Sequence, residues 1–129
     1  MLAVDTSVVV RYLAGDDPVQ AKKARVLLEE GDAFVSDTVL LETEWVLRTT
    51  LKVDRRRMAE AISAFLGLPR VHVADRGRIE DALKLVGRGM DFADALYLVN
   101  AQGCEAFVTF DRKLAKKAGP WTPTPVRLA

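Results

Sequence analysis

The chain has 129 residues, half of them hydrophobic and 29% charged, a composition typical of a folded globular domain and not of a fibrous or disordered segment. A chain of this length buries about two thirds of its unfolded surface without disulfides or structural metal, so we expect one domain over residues 1–129. The 19 basic and 18 acidic side chains give a net charge of +1, so any nucleic-acid surface must come from local segregation of charge.

Helices and strands alternate in the hydrophobic pattern. In chain order, the first half predicts a strand at Leu2–Val4, helices at Thr6–Leu13 and Pro18–Glu30, a strand at Ala33–Ser36, a helix from the cap Asp37 to Leu51 and one from the cap Asp54 to Leu66. The second half predicts a strand at Val71–Val73, helices from Asp75 to Val86 and from the cap Asp91 to about Gly103, a strand at Ala106–Thr109, a helix at Arg112–Ala118 and an edge strand at Val126–Leu128. Strands separated by helices predict an α/β fold, with a mainly parallel sheet between two layers of helices.

The sequence shows no membrane segment. The longest aliphatic runs, such as Val8–Val10 and Val39–Leu41, are too short to cross a bilayer. Asp5 interrupts the start of the chain, where a secretory signal needs a basic and then an apolar stretch, so we expect a cytoplasmic protein. The single Cys104 cannot form an internal disulfide, and its apolar neighbours predict a small core residue and not a nucleophile.

Two acids directly follow predicted strands. Asp5 comes after Leu2–Val4, and Asp111 comes after the run Phe107–Phe110. In parallel sheets the loops diverge beyond the carboxyl ends of the strands and leave a crevice where ligands bind. Both acids are therefore candidates for a functional site, although each is also a reasonable helix cap.

A third acid, Glu42, lies within a predicted helix. Its neighbours one helical turn away are Thr38, Val39, Trp45 and Val46. This mostly apolar face is expected to turn toward the core, where a carboxylate is costly unless a cation such as a metal ion neutralises it. The alternative is a side chain at the rim of the face that reaches water. Glu44 has Arg48 four residues further on and is expected to form an ordinary surface pair.

Asp91 and Asp94 are three residues apart at the start of a predicted helix. A structural explanation is available, with Asp91 as the cap and Asp94 in the first turn, where the helix dipole favours negative charge. Both nevertheless lie on one face, and neither has Lys or Arg three or four residues further on. Two neighbouring carboxylates repel each other unless they share a cation.

Together these stretches resemble the PIN-domain ribonucleases of the VapC toxin type, which belong to bacterial and archaeal toxin–antitoxin pairs. The matching segments, in the order of the family, are Val4–Ser7, Val35–Leu47, Asp91–Leu96 and Phe107–Asp111. The resemblance implies a three-layer α/β/α sandwich, a site for Mg²⁺ or Mn²⁺, and endonucleolytic cleavage of RNA. It also implies a cognate VapB-type antitoxin and a homodimer.

The resemblance also assigns residues. The four catalytic and metal-binding acids are Asp5, Glu42, Asp94 and Asp111. Asp91 is an additional acid that supports the site or caps the helix. Thr109 and Ser7 are expected to offer hydroxyls that orient carboxylates or water, with simple turn bonding at the strand ends as the alternative.

The expected chemistry is hydrolysis by a metal-activated water, leaving a 5′-phosphate and a 3′-hydroxyl. A metal-free ribonuclease that uses the 2′-hydroxyl ordinarily needs a separate acid and base, often two histidines. The only histidine here is His72, which lies in a predicted strand and is expected to be structural.

Two basic clusters are candidates for binding RNA phosphates. The first is Arg55–Arg57, at the start of a helix, where cations oppose the helix dipole. The second follows Asp111 and contains Arg112, Lys113, Lys116 and Lys117. We favour the second cluster because it is tethered to a candidate site residue, although a solvated helix face explains either cluster.

Two consecutive helices carry more apolar residues than one buried stripe requires: Trp45, Leu47, Leu51, Met58, Ile62 and Phe65. They form either a surface for the antitoxin or for a second copy, or ordinary core. Two alternatives to a nuclease also remain at this point. One is a receiver-like phosphoacceptor in a signalling module, with Asp37 as the phosphorylated residue, and the other is an RNA-binding protein that does not cleave.

Overall fold

The computed structural model describes residues 1–129, except for the side chain of Trp121. The chain divides into two compact units, Met1–Arg76 and Gly77–Ala129. Within the described part of the chain, no helix is both long and apolar enough to cross a membrane.

The first unit contains a three-stranded parallel sheet. Its elements are β1 (Leu2–Ala3), α1 (Thr6–Ala14), α2 (Pro18–Arg25), a π-helical turn (Val26–Glu30), β2 (Ala33–Phe34), α3 (Asp37–Thr49), α4 (Arg55–Leu66) and β3 (Val71–His72). The strand order is β1-β2-β3, with Leu2 opposite Ala33 and Ala33 opposite Val71. The long helix predicted from Pro18 to Glu30 is thus helical throughout, but its last five residues widen into a π-helical turn.

Short polar side chains start these helices by accepting bonds from otherwise unpaired backbone N–H groups. Asp17 accepts from the N–H of Gln20 at 3.0 Å, and Asp54 accepts from the N–H of Arg57 at 2.9 Å. The prediction that Asp37 caps α3 is wrong, because Ser36 makes the capping bond and Asp37 is the first helical residue.

The apolar residues predicted to form a partner surface are mostly buried. Leu47, Met58, Ile62 and Phe65 are at most 4% exposed, whereas Trp45 is 55% and Leu51 39% exposed. The ring of Phe65 contacts that of Tyr12 on α1, with centroids 5.9 Å apart. The core explanation therefore holds for the four buried residues, and only Trp45 and Leu51 remain available to a partner.

His72 at the end of β3 has a structural contact, as expected. Its Nε2 lies 3.0 Å from Oδ1 of Asp32, and this hydrogen bond is the main cause of the lowered pKa of Asp32. Arg70 forms an ion pair with the same carboxylate, with its Nη2 3.5 Å from Oδ2 of Asp32.

The second unit contains a parallel strand pair. Its elements are α5 (Arg76–Gly87, whose first residue ends the first unit), α6 (Phe92–Asn100), β4 (Phe107–Thr109), α7 (Arg112–Ala118), a 3₁₀ turn (Gly119–Trp121) and β5 (Val126–Leu128). β4 and β5 pair from Phe107–Val126 to Thr109–Leu128. Parallel pairing, including the strand predicted at Val126–Leu128, is therefore confirmed in both units.

Two local predictions in this unit are wrong. α6 ends at Asn100 instead of near Gly103, because the chain turns back there: the N–H of Cys104 donates to the carbonyl of Ala101, and Gly103 has a φ of 93°. Cys104 therefore lies on this turn, outside the helix, and is exposed instead of buried.

Candidate functional site

Asp5 starts helix α1 and is exposed. Its Oδ1 accepts a bond from the hydroxyl of Ser7 at 2.5 Å and one from the N–H of Val8 at 3.4 Å. These bonds stabilise the ionised form and lower the pKa of Asp5, with the Ser7 hydroxyl as the largest cause. Asp5 is thus both a helix cap and a carboxylate held in its charged form, and Ser7 orients it as expected.

A cavity of about 260 Å³ lies beside Ser7, between α1 and α2. Its lining residues are Ser7, Val8, Arg11, Gln20, Lys23, Ala24 and Leu27. Arg11 is held in place by the carbonyl oxygen of the Gln20 side chain at 2.6 Å and by Asp16 at 3.1 Å. This cavity could not be predicted from the sequence, because it forms only when the two helices pack against each other. The sequence does show that Ser7 and Arg11 are one helical turn apart, which places two of the lining residues on the same face of α1.

Glu42 on α3 is exposed, so the prediction that it turns toward the core is wrong. The buried face of α3 consists of Leu40, Thr43, Glu44 and Leu47, which places Glu42 outside it. Glu42 instead lies at the rim of the apolar face and reaches water, which was the alternative prediction. Its carboxylate is therefore accessible to a ligand.

Glu44 takes the buried position instead. It is 3% exposed, and its Oε1 accepts a bond from Nε of Arg48 at 2.7 Å. The Glu44–Arg48 pair was predicted correctly, but as a surface pair, and that part of the prediction is wrong. A buried carboxylate requires a cation, and Arg48 supplies it from one turn away.

In the second unit, the charges of two other carboxylates act on Asp94, which lies in the first turn of α6. Asp94 is half-buried, and burial is the main cause that raises its pKa above the usual 3.8. The negative charges of Asp91 and Asp111 raise it further, and Lys117 opposes them. Burial and the two neighbouring negative charges therefore disfavour the ionised form of Asp94, and added positive charge would favour it.

The other two acids differ in how they are held. Asp111 caps α7, and its Oδ1 accepts bonds from the N–H groups of Lys113 at 2.9 Å and Leu114 at 3.1 Å. The hydroxyl of Thr109 accepts a bond from the N–H of Asp111 at 2.9 Å, which is the turn bonding considered as the alternative. Asp91 occupies the predicted cap position of α6, but its side chain makes no capping bond.

The donor chemistry around Asp94 fits a hard divalent cation. Mg²⁺ takes oxygen ligands and is commonly bound by one or two carboxylates together with water and substrate phosphate. Over the residues that the structure describes, no group of three or more Asp, Glu, His or Cys side chains is arranged as a metal cage. A cation bound to Asp94 would offset the repulsion from Asp91 and Asp111 that raises its pKa.

The basic clusters differ in how far acids neutralise them. In the first, Arg56 lies 3.4 Å from Glu60, and Arg57 lies 3.7 Å from Asp54. In the second, all four basic side chains of α7 are exposed, and Nζ of Lys117 donates to the carbonyl of Gly89 at 3.2 Å. The second cluster also follows Asp111 directly, which supports its selection as the phosphate-binding candidate.

Comparison with known proteins agrees with this chemistry. The family model of the PIN domain matches residues 2–120, a range that contains Asp5, Glu42, Asp94 and Asp111. No curated protein matches the chain. The parallel strands and the seven α-helices of residues 1–129 confirm the predicted α/β class and are consistent with a three-layer α/β/α sandwich. The match favours a nuclease over the receiver-like alternative.

Proposed function

Because this chain belongs to the PIN-domain family, we propose that it is an endoribonuclease that uses Mg²⁺ or Mn²⁺. PIN domains are generally metal-dependent nucleases, so membership alone indicates a nuclease. The observation that carries the more specific proposal is the half-buried Asp94, on which the negative charges of Asp91 and Asp111 act. A divalent cation at Asp94 would offset this repulsion.

Each acid has a role that its surroundings support. Asp94 and Asp111 would hold the cation, and the charge of Asp91 also acts on Asp94. The resemblance to VapC-type toxins also assigns catalytic roles to Asp5, which Ser7 holds ionised, and to Glu42, which is exposed. When bound, the cation supplies charge to offset the phosphate oxygens and acidifies water for attack on phosphorus. Arg112, Lys113 and Lys116, which are exposed on α7, bind RNA phosphates.

The biological role that we propose is that of a cytoplasmic toxin with a cognate VapB-type antitoxin. This part rests on the resemblance of the four acidic segments to VapC-type toxins. Of the apolar residues considered as a partner surface, the exposed Trp45 and Leu51 remain candidates for contact with the antitoxin or with a second copy in a homodimer.

A cleavage assay with end mapping tests the nuclease proposal. Purified protein is incubated with a labelled RNA in Mg²⁺, in Mn²⁺ and in EDTA, and the new ends are identified. We expect metal-dependent cleavage that leaves 5′-phosphate and 3′-hydroxyl ends and that Asp94→Asn abolishes. The matched control is Asp81→Asn, an exposed carboxylate on α5 of the same unit, which should retain activity.

Three results would overturn the proposal. Full activity in EDTA or a cyclic-phosphate product would exclude the metal mechanism. Equal activity of Asp94→Asn and Asp81→Asn would remove Asp94 from the site. Binding of RNA without cleavage under all metal conditions would instead support the non-cleaving alternative.

We also propose that the two compact units unfold together as one domain. Trp45 lies in the first unit and Trp121 in the second, so the variants Trp45→Phe and Trp121→Phe each leave one fluorescent reporter. Each variant is unfolded in urea, and its midpoint is corrected for the effect of the substitution on stability. Coincident fluorescence transitions of the two variants would then support a single cooperative domain. Two separate transitions would contradict it.

A further inference from the structure

Exposed aromatic side chains lie next to the carboxylates of the second unit. Tyr97 on α6 is 54% exposed, and its ring is stacked on that of Phe107 on β4, with centroids 6.2 Å apart and planes 15° apart. Phe110, between β4 and α7, is 89% exposed. Large apolar side chains this exposed are informative when they cluster near a functional site.

The pattern of α6 shows that Tyr97 is not a core residue displaced to the surface. Phe92, Ala95, Leu96, Leu98 and Val99 are its buried residues. Tyr97 lies on the other side of the helix, where its neighbours one turn away are Asp94 and Asn100. The ring therefore stands on the same side of α6 as the carboxylate that we assign to the metal.

Phe110 has a comparable position beside the second carboxylate. It immediately precedes Asp111, whose charge acts on Asp94. The exposed basic helix α7 begins at the next residue, Arg112, and the segment Arg112–Ala118 contains four cations and no acid. Arg112 and Lys113 occupy its first turn, where cations oppose the helix dipole, so helix stability does not account for them.

We propose that Tyr97, supported by Phe107, and Phe110 are base-contacting residues that stack on unpaired nucleobases flanking the cleaved phosphate. The proposal rests on the nuclease function proposed above. Aromatic faces next to a basic helix are the two components by which proteins hold single-stranded nucleic acid, because the rings take the bases and the cations take the phosphates. In a duplex the faces of the bases are already stacked on each other, so the rings would gain nothing there.

The expected effect is large enough to measure. Stacking of one base on one aromatic side chain contributes about tenfold to affinity, on the order of what alanine substitutions remove. Phosphate contacts by contrast depend on salt and are insensitive to whether a base is present. A ligand that lacks its bases therefore separates the two contributions.

The experiment measures RNA binding without cleavage. The full-length Asp94→Asn protein in EDTA is titrated with a fluorescent single-stranded oligoribonucleotide, and fluorescence anisotropy gives the dissociation constant. Tyr97→Leu and Phe110→Leu are introduced separately into this background, and each should weaken binding about tenfold. Two matched controls should leave the affinity unchanged: Tyr97→Phe, which keeps the ring, and Val108→Ala, an exposed apolar change on β4.

Abasic and duplex ligands complete the test. An oligonucleotide with abasic sites should bind the parent, Tyr97→Leu and Phe110→Leu proteins with equal affinity, and so should a duplex of the same sequence. In the cleavage-competent protein, both Leu variants should raise KM with little change in kcat.

The outcomes separate this inference from the proposed function. Metal-dependent cleavage together with unchanged RNA binding by both Leu variants would overturn the base-stacking role and leave the nuclease intact. Loss of self-association in sedimentation, with RNA affinity unaltered, would overturn it in favour of a protein interface. Failure of the wild-type protein to bind or cleave any RNA would overturn both proposals.

Discussion

The buried pair Glu44–Arg48 gives the sharpest prediction about stability. Glu44 is 3% exposed, its partner Arg48 is 36% exposed, and the two atoms Nε and Oε1 are 2.7 Å apart. The substitution Arg48→Met keeps most of the aliphatic stem and removes the charge, which leaves the Glu44 carboxylate buried without this cation. Breaking such a pair typically costs about 3–5 kcal/mol when both partners are buried. Because Arg48 is partly exposed, we expect a loss of about 2–3 kcal/mol in the free energy of unfolding.

Urea unfolding at pH 7, followed by circular dichroism, measures this loss. The matched control is Arg56→Met, which removes the same kind of charge from another Arg–Glu pair four residues apart on a helix. Arg56 and Glu60 are 89% and 65% exposed, so this change should cost less than about 0.5 kcal/mol. Glu44→Gln in the Arg48→Met background should recover part of the loss, because a neutral amide is less costly to bury.

Equal effects of Arg48→Met and Arg56→Met would refute the argument. They would mean that water or another side chain stabilises Glu44 as well as Arg48 does. The burial of Glu44 would then not set the orientation of α3, the helix that presents Glu42.

Three further changes test other parts of the structure. Asp94→Asn should raise the free energy of unfolding in EDTA at pH 7, because burial, Asp91 and Asp111 disfavour the ionised side chain in the folded protein. Since the folded pKa is raised, this gain should shrink as the pH falls through the folded pKa toward 3.8, and a less stable variant at pH 7 would contradict it. Thr43→Val should stabilise the protein by about 1 kcal/mol in thermal unfolding, because the buried Oγ1 of Thr43 has no hydrogen-bond partner among the described residues. Charge reversal at Lys113 and Lys116 should weaken RNA binding and reduce its dependence on salt concentration, and an unchanged salt slope would exclude these residues from the interface.

Local signals in the sequence predicted most of the secondary structure. The caps Asp17 and Asp54 act through side chains that bond to the backbone three residues away, so nothing distant is needed to recognise them. The helix Arg112–Ala118 and the strand Val126–Leu128 were also predicted with their observed bounds. Alternation of strands and helices was sufficient to predict the α/β class.

Local signals in the sequence did not predict which face of a helix is buried. On α3, the apolar neighbours of Glu42 suggested a buried carboxylate, but Trp45 is exposed and Glu44 is buried. Two stripes on this helix contain similar numbers of apolar residues, and only packing against other elements selects the one formed by Leu40, Thr43, Glu44 and Leu47. The same reason explains the exposure of Cys104, which depends on a turn closed by non-helical backbone bonds.

The candidate site could likewise be predicted only in part from the sequence. The sequence by itself identified which acids follow strands and which begin helices, and its resemblance to the PIN domain named the family that the residues 2–120 match. Only the tertiary structure showed that Asp111 acts on Asp94, that Asp94 is half-buried, and that Tyr97 and Phe110 are exposed beside these carboxylates. Caps and periodicity arise from bonds between residues a few positions apart, whereas burial and charge coupling depend on segments that meet only in the folded chain.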